Sequence, residues 1–302
     1  MTNDENRIGD GRHRWLRGLL VVAVMLIQHS ARAQTGIKIQ LVSEVTAITP
    51  GQPFYVGLFI RHEPGYHTYW KQPGIVGVPT QVQWELPAGF EAGDLEYPEP
   101  ESVLMFRIKA QGYERDVLLQ ARITPPADLK PGGRVTLAGN AAWMACARTC
   151  HPDNRKLTLE LPVAPTSPPD PRWQPLFDKE RATFARSSDA WEARAVENDL
   201  EMTLHLSAKT QNARAFASPD EARKIIFFTE DGWIHSDQPQ QVTLNSDGSV
   251  SIRLTRADVF LGNGTPEKLL GIVQHDAGWL KNGKPRSLRI APLIERPGKD
   301  GS

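Results

Sequence analysis

The sequence predicts an all-β protein, with an immunoglobulin-like β-sandwich followed by a second, smaller β-sandwich that has one helix at its start. Three observations carry this prediction. Apolar and polar residues alternate over many short segments, turns rich in Pro and Gly separate these segments, and helical periodicity is nearly absent. Alternation with period two is typical of half-buried strands, and many short strands joined by such turns are typical of sandwiches. The fold alone does not decide function.

The first 33 residues have the three parts of a secretory signal peptide. Basic residues lie ahead of the apolar run 19–27, and Ala31 and Ala33 occupy the small-residue positions of a cleavage site. The apolar run is shorter than the about 20 residues that cross a bilayer, although a permanent anchor is the alternative. We expect the mature chain to begin near Gln34 and to be a soluble periplasmic protein.

Six strands are expected in the first sandwich, whose predicted limits are 34–163. They cover 37–48, 52–62, 80–86, 116–125, 133–145 and 155–163. Residues 161–175 then contain six prolines, which disfavour both helix and internal strand. This stretch predicts a stiff linker over 164–175.

The second domain is predicted over 176–295, with a tail at 296–302. Its helix is expected at 176–195, and its strands at 199–207, 224–230, 241–255, 268–274 and 278–293. The dipeptides Asp247-Gly248 and Asn282-Gly283 are typical of hairpin turns. Lys plus Arg equals Asp plus Glu at 35 each, so the composition does not favour nucleic acid as a partner.

The only two cysteines of the sequence, Cys146 and Cys150, follow the predicted strand 133–145. They can meet only if the segment turns back on itself. A loop this small adds little stability as a staple, and a short-range disulfide is easier to reduce than a buried structural one. Arg148 and His151 supply positive charge that favours the reactive thiolate. A redox pair, a structural disulfide and a metal site therefore remain open, the last as a Cu(I) set of Met144, Cys146, Cys150 and His151.

An aromatic cluster, Tyr66, His67, Tyr69 and Trp70, precedes a loop rich in Gly and Pro. Such residues ordinarily pack a strand end onto the core. The functional alternative is an apolar lid over the thiols, which would shield a reductant in an oxidising compartment.

The segment "PGYHTYWKQPGIVGVPTQVQWELPAGF", together with "YPEPE" and the later "GNAAWMACARTCHPDN", resembles the N-terminal periplasmic domain of the DsbD family of thiol:disulfide interchange proteins. The ScsB-type branch, which includes copper-tolerance proteins, is the most similar, over about residues 37–163. The resemblance implies that Cys146 and Cys150 are the redox cysteines and that Tyr66–Gly77 is part of a cap over them. It implies no organic cofactor.

The resemblance also implies two kinds of partner. A membrane thiol-electron transporter of the DsbD/CcdA type would supply reducing equivalents, and periplasmic disulfide-containing proteins would receive them. The sequence departs from the family in the residues between the cysteines, Ala147, Arg148 and Thr149. We also expect this chain to lack the family's transmembrane conduit and thioredoxin-like domain, and so to depend on a separate donor. The alternatives are a periplasmic copper-binding protein and a non-catalytic adaptor.

Overall fold

The computed structural model describes residues 36–260 and 262–297. The predicted signal peptide, residues 1–33, lies outside the described residues. Within the part of the chain that is described, no helix is long and apolar enough to cross a membrane.

Eighteen strands and two short helices make up the described residues. In chain order the strands are β1 (Ile37–Ser43), β2 (Phe54–His62), β3 (Thr68–Tyr69), β4 (Gln81–Glu85), β5 (Glu91–Glu96), β6 (Glu101–Met105), β7 (Ile108–Tyr113), β8 (Val117–Thr124), β9 (Arg134–Cys146), β10 (Cys150–Pro162), β11 (Trp191–Asn198), β12 (Glu201–Ala208), β13 (Ile226–Thr229), β14 (Gln241–Leu244), β15 (Val250–Thr255), β16 (Gly271–Gln274), β17 (Ser287–Ile290) and β18 (Ile294–Glu295). The helices are α1 (Gln174–Arg181) and α2 (Pro219–Ala222). The predicted all-β fold class is confirmed.

Seven of the strands from β1 to β10 form the first sandwich. A four-stranded sheet in the order β1-β2-β8-β5 packs on a three-stranded sheet in the order β10-β9-β4. Alternate residues of each strand point into the core between them, because successive side chains of a strand face opposite sides. Val56, Leu58 and Ile60 of β2 follow this pattern and are almost fully buried. A third sheet, β3-β7-β6, lies beside this sandwich and is called the cover sheet below.

The second sandwich comprises β11 to β18. Its five-stranded sheet has the order β14-β15-β12-β11-β18, and its three-stranded sheet has the order β13-β16-β17. The three-stranded sheet is buried on both faces: Phe227 and Val273 enter the core of the second sandwich, whereas Phe228 and Ile272 enter the core of the first. Burial on both faces explains why β13 and β16 read as continuous apolar runs. We call β13-β16-β17 the shared sheet.

The prediction of a helix over 176–195 was wrong for the second part of this range. The helix ends at Arg181, and Trp191–Asn198 forms a strand that pairs with β12, with Ala195 opposite Leu204. Trp191 and Ala195 are both buried. Their spacing of four positions suits one face of a helix, but it equally suits one face of a strand, and the tertiary pairing decides between the two.

The strand predicted over 278–293 is also much shorter in the structure. Within this range only Ser287–Ile290 is a strand, and residues 280–283 form a turn in which the N–H of Gly283 donates to the carbonyl of Leu280 at 2.9 Å. Gly283 has a positive φ of 76°, a backbone conformation that suits a turn. The Asp247-Gly248 turn is confirmed, since it joins the paired strands β14 and β15.

The proline-rich stretch runs along the first sandwich before α1 begins. Val163 and Pro169 form isolated bridges with Ile48 and Val45, and the carbonyl of Pro168 accepts the N–H of Thr46 at 2.9 Å. Proline, which has no backbone N–H, is tolerated at the edge of a sheet. The domain limits at 163 and 176 stay a prediction.

Candidate active site

The two cysteines lie at the tip of the β9–β10 hairpin. The register pairs Cys146 directly with Cys150, residues 147–149 form the turn, and the two sulfurs form a disulfide with a Cα–Cα distance of 4.1 Å. The backbone N–H and C=O of Cys146 both bond to His67, at 2.9 Å each, and therefore point away from Cys150. Residues opposite each other without mutual hydrogen bonds come closest in an antiparallel pair, which suits a cross-strand disulfide.

The two halves of the disulfide differ in exposure. Cys146 is fully buried, whereas Cys150 is partly exposed beside the exposed turn residues Arg148 and Thr149. A thiol or thiolate arriving from solvent therefore has better access to the side of Cys150. This asymmetry arises because the hairpin extends beyond the sandwich while its inner strand is covered by neighbouring segments.

Tyr69 and His67 contact the buried side of the disulfide. The Tyr69 hydroxyl donates to Cys146 Sγ at 3.1 Å, and His67 Nε2 lies 3.3 Å from the same hydroxyl. Burial lowers the pKa of His67 and raises the pKa of Tyr69, because both charged forms lose hydration. At neutral pH the His67 ring is therefore neutral and the Tyr69 phenol is protonated. With the ring proton on Nε2, His67 donates to the phenol oxygen and leaves the phenol proton for sulfur.

Strands β6 and β7 of the cover sheet also pack over the disulfide. Val103 and Ala110, which pair across β6 and β7, are buried in one cluster with Tyr69 and Cys146. The Sδ atom of Met105 lies 3.5 Å from Cys150 Sγ. Because a disulfide sulfur carries no proton, this is a van der Waals contact between two polarizable atoms.

Apolar side chains around the tip of the β6–β7 hairpin are exposed. Leu104, Phe106 and Ile108 are 54%, 69% and 36% exposed. Ile75 and Val78, from the Gly- and Pro-rich loop, are also exposed.

The structure separates the four predicted cap residues into two pairs. His67 and Tyr69 lie at the disulfide, as described above. Tyr66 and Trp70 instead pack against the core of the first sandwich, Tyr66 partly and Trp70 fully buried. Alternation along the segment accounts for this split, because neighbouring side chains face opposite sides.

The two predicted charged neighbours of the cysteines, Arg148 and His151, lie in different parts of the hairpin. Arg148 is exposed in the turn. His151 pairs with Ala145 and therefore faces the side of the hairpin opposite to Cys150, and its Nε2 lies 2.9 Å from Thr149 Oγ1. Their effect on the thiols stays a prediction.

The predicted copper ligands are likewise only partly together. Met144 packs in the same cluster as the two cysteines, whereas His151 is on the other face. Met105 packs in this sulfur cluster, which does not include His151. The sequence reasoning did not include Met105 among the candidate ligands. Among the described residues, no group of three or more His, Cys, Asp or Glu side chains could hold a metal ion.

The sequence reasoning missed the hairpin of β6 and β7 altogether. Its signal was the alternation in "SVLMFRIKA" (102–110), where Val103, Met105 and Ala110 face inward. The turn at Phe106 and Arg107 lacks Gly, Asn or Asp, although Phe106 has a positive φ of 55°. Such turns usually carry those residues, so the usual sequence mark of a hairpin is absent.

Fold and site together define a β-sandwich protein with a cysteine pair that can form a disulfide at a covered hairpin tip. The family model described as "Thiol:disulfide interchange protein DsbD, N-terminal" matches residues 38–162. Residues 38–162 are thus a DsbD-family N-terminal domain, a domain that is periplasmic in that family.

The first of three similar solved structures shares the fold. The N-terminal periplasmic domain of ScsB from Proteus mirabilis is 16% identical, with a TM-score of 0.57 over 85% of this chain and 94% of that chain. A protein of unknown function from Porphyromonas gingivalis W83 is 10% identical, with a TM-score of 0.23 over 85% of this chain and 99% of that chain. The YadV chaperone is 10% identical, with a TM-score of 0.22 over 83% of this chain and 100% of that chain. The last two scores are too low to carry an argument. No curated protein matches the chain.

Proposed function

We propose that this protein is a periplasmic thiol:disulfide exchange protein that works through Cys146 and Cys150. It would take reducing equivalents from a membrane thiol-electron transporter of the DsbD/CcdA type and pass them to periplasmic client disulfides. One observation carries the proposal: a cross-strand disulfide lies at a hairpin tip, with one sulfur buried under Tyr69 and the other partly exposed.

The difference in exposure supports different roles for the two cysteines in the exchange. The thiolate of reduced Cys150 attacks a client disulfide, which forms a mixed disulfide and releases one client thiolate that takes a proton from water. The thiolate of Cys146 then attacks Cys150 Sγ. This step releases the second client thiolate and regenerates the Cys146–Cys150 disulfide. Two electrons pass to the client, and a dithiol of the membrane partner returns them by the reverse sequence of bonds.

Tyr69 is suited to help the buried cysteine. A hydrogen bond to a thiolate favours the charged form, whereas burial disfavours it. The Tyr69 hydroxyl, 3.1 Å from Cys146 Sγ, would thus offset part of the cost of forming a buried thiolate during the resolving step.

Single-cysteine variants test the proposal. With 5,5′-dithiobis(2-nitrobenzoate) as the model disulfide, reduced Cys146→Ser should rapidly release one thionitrobenzoate and hold the other half as a mixed disulfide, seen by mass spectrometry. Reduced Cys150→Ser should react far more slowly because Cys146 is buried. Wild-type protein should release both halves and end as the intramolecular disulfide. The proposal fails if wild-type protein stays reduced after exposure to the reagent.

The sulfur cluster supports copper binding as a second candidate function. Reduction would leave two thiols beside two thioethers, Met105 and Met144, and such soft donors favour Cu(I). The reduced protein would then bind Cu(I) under anaerobic titration with a competing chelator, and Met105→Leu would weaken binding. His151→Ala would serve as the control. Equal affinities of the wild type and Met105→Leu would remove this candidate.

A further inference from the structure

The buried side chain of Gln111 joins the cover sheet to the second sandwich. Its Oε1 accepts the N–H of Thr229 and its Nε2 donates to the carbonyl of Thr229, both at 2.9 Å. Gln111 lies in β7 and Thr229 ends β13, and Gln111 is only 2% exposed. The amide group thus pairs with the backbone of β13 as a neighbouring strand would.

The same residue also holds the segment that carries Tyr69. The backbone N–H of Gln111 donates to Pro73 at 2.8 Å, its carbonyl accepts from Trp70 at 3.0 Å, and its Nε2 also donates to the carbonyl of Gln72. One glutamine therefore ties together both segments that cover the disulfide and the shared sheet.

Other contacts hold residues 99–101, which lead into the β6–β7 hairpin, against the shared sheet. Gln274 Nε2 donates to the carbonyl of Pro100 at 3.3 Å, and Ser287 Oγ donates to Glu99 Oε2 at 2.5 Å. Both donors belong to the shared sheet. The far end of the hairpin, around Phe106, is exposed.

The loop before β4 is fitted against the second sandwich as well. Lys71 Nζ lies 2.7 Å from Glu230 Oε1. A Cβ added at Gly232 would come within 2.5 Å of the Gln72 side chain, and one added at Gly74 would overlap the hydroxyl of Ser236. These contacts show that the loop packs closely against the second sandwich.

From these contacts we infer that the second sandwich positions the cover over the Cys146–Cys150 disulfide, and that Gln111 is the positioning residue. The inference deepens the proposed function and rests on it in one respect, that access to the disulfide governs exchange. Loss of the Gln111 side chain leaves the buried N–H and C=O of Thr229 without partners and frees β7 from the shared sheet. The cover then opens more often, and the sulfurs meet reagents at a rate set by the open population.

A matched pair of glutamine variants tests the inference. The Gln240 side chain makes the same two-bond pairing with Phe227, at 2.9 and 2.7 Å, entirely within the second sandwich. Gln111→Ala and Gln240→Ala should both lower the Tm. Only Gln111→Ala should also accelerate reduction of the disulfide by dithiothreitol, by about tenfold if one buried hydrogen-bonded pair is lost from the closed state.

The outcomes separate the inference from the proposed function. Dithiothreitol reduces the disulfide without a biological partner. Faster reduction in Gln111→Ala therefore supports the positioning role even if the assay with 5,5′-dithiobis(2-nitrobenzoate) fails. Equal reduction rates in the two variants, at a similar loss of Tm, would overturn the positioning role while leaving exchange chemistry intact. If Gln111→Ala does not fold, Ser287→Ala removes a contact at the other strand of the hairpin and should accelerate reduction in the same direction. No acceleration there would equally overturn the inference.

Discussion

The Tyr69 hydroxyl lies 3.1 Å from the Sγ of Cys146 although 77 positions separate the two residues in the chain. The backbone pairing of His67 with Cys146 makes this approach possible, because it places β3 directly against the tip of the β9–β10 hairpin. A donor held against a buried sulfur is the feature of this site with the most direct chemical consequence.

Tyr69→Phe should make the disulfide harder to reduce. The lost hydrogen bond stabilises a thiolate more than a neutral disulfide, so its removal disfavours the reduced state. We expect the equilibrium constant with glutathione to shift by roughly tenfold toward the oxidised protein. Tyr113→Phe is the control, since its buried hydroxyl donates to Pro98 at 2.8 Å, away from the sulfurs. A shift of the same size in both variants would contradict the prediction.

Met105→Ala should expose the Cys150 side of the disulfide. The Met105 thioether lies 3.5 Å from Cys150 Sγ and faces inward, so its removal opens the path to that sulfur. Reduction by dithiothreitol, followed by alkylation and mass spectrometry, should be several times faster than in the wild type. Leu104→Ala, on the outer face of the same strand, should leave the rate unchanged. Unchanged rates in both variants would mean that Met105 does not limit access.

Reduction of the disulfide should leave the fold intact. The loop closed by residues 146 and 150 is so short that chain entropy predicts a contribution of only about 2 kcal/mol. For a chain of this size the Tm should fall by roughly 5 °C in the presence of a phosphine reductant. Loss of the cooperative transition would instead show that the bond is structural.

Arg115→Ala should destabilise the protein strongly at neutral pH and less under acid conditions. Arg115 Nη1 contacts both carboxylate oxygens of Glu180, at 2.8 and 2.9 Å, and the Glu180 side chain is fully buried. Removing the partner of a buried charge typically costs about 3–5 kcal/mol. Urea denaturation at several pH values measures the loss.

The sign of the pH dependence follows from the carboxyl. Burial raises the pKa of Glu180 even with Arg115 present, and removal of the arginine would raise it further. A carboxyl with a raised pKa in the folded state favours folding when protonated, and this contribution is lost as the pH rises through the folded-state pKa. The loss in free energy of unfolding that Arg115→Ala causes should therefore become smaller as the pH falls. Arg61→Ala, which breaks an exposed pair with Asp116, should cost little at any pH.

The sequence by itself determined the β-rich class, most strands of both sandwiches and the spacing that lets Cys146 and Cys150 meet if the segment between them turns back. These features are local, since period-two alternation and a four-position spacing are visible within short windows. The aromatic segment that begins at Tyr66, taken together with the motif around the cysteines, also indicated the family of the N-terminal domain. Each of these predictions depends on residues that are neighbours in the chain.

Only the tertiary structure decided what covers the cysteines and what holds the cover. Met105 reaches Cys150 across 45 positions, and Gln111 reaches Thr229 across 118 positions. No local pattern specifies such pairs, because their geometry depends on how sheets pack together. The strand Trp191–Asn198 shows the same limit, since its spacing suited a helix until pairing with β12 selected the extended form. Long-range pairing, rather than local propensity, sets the access to this disulfide.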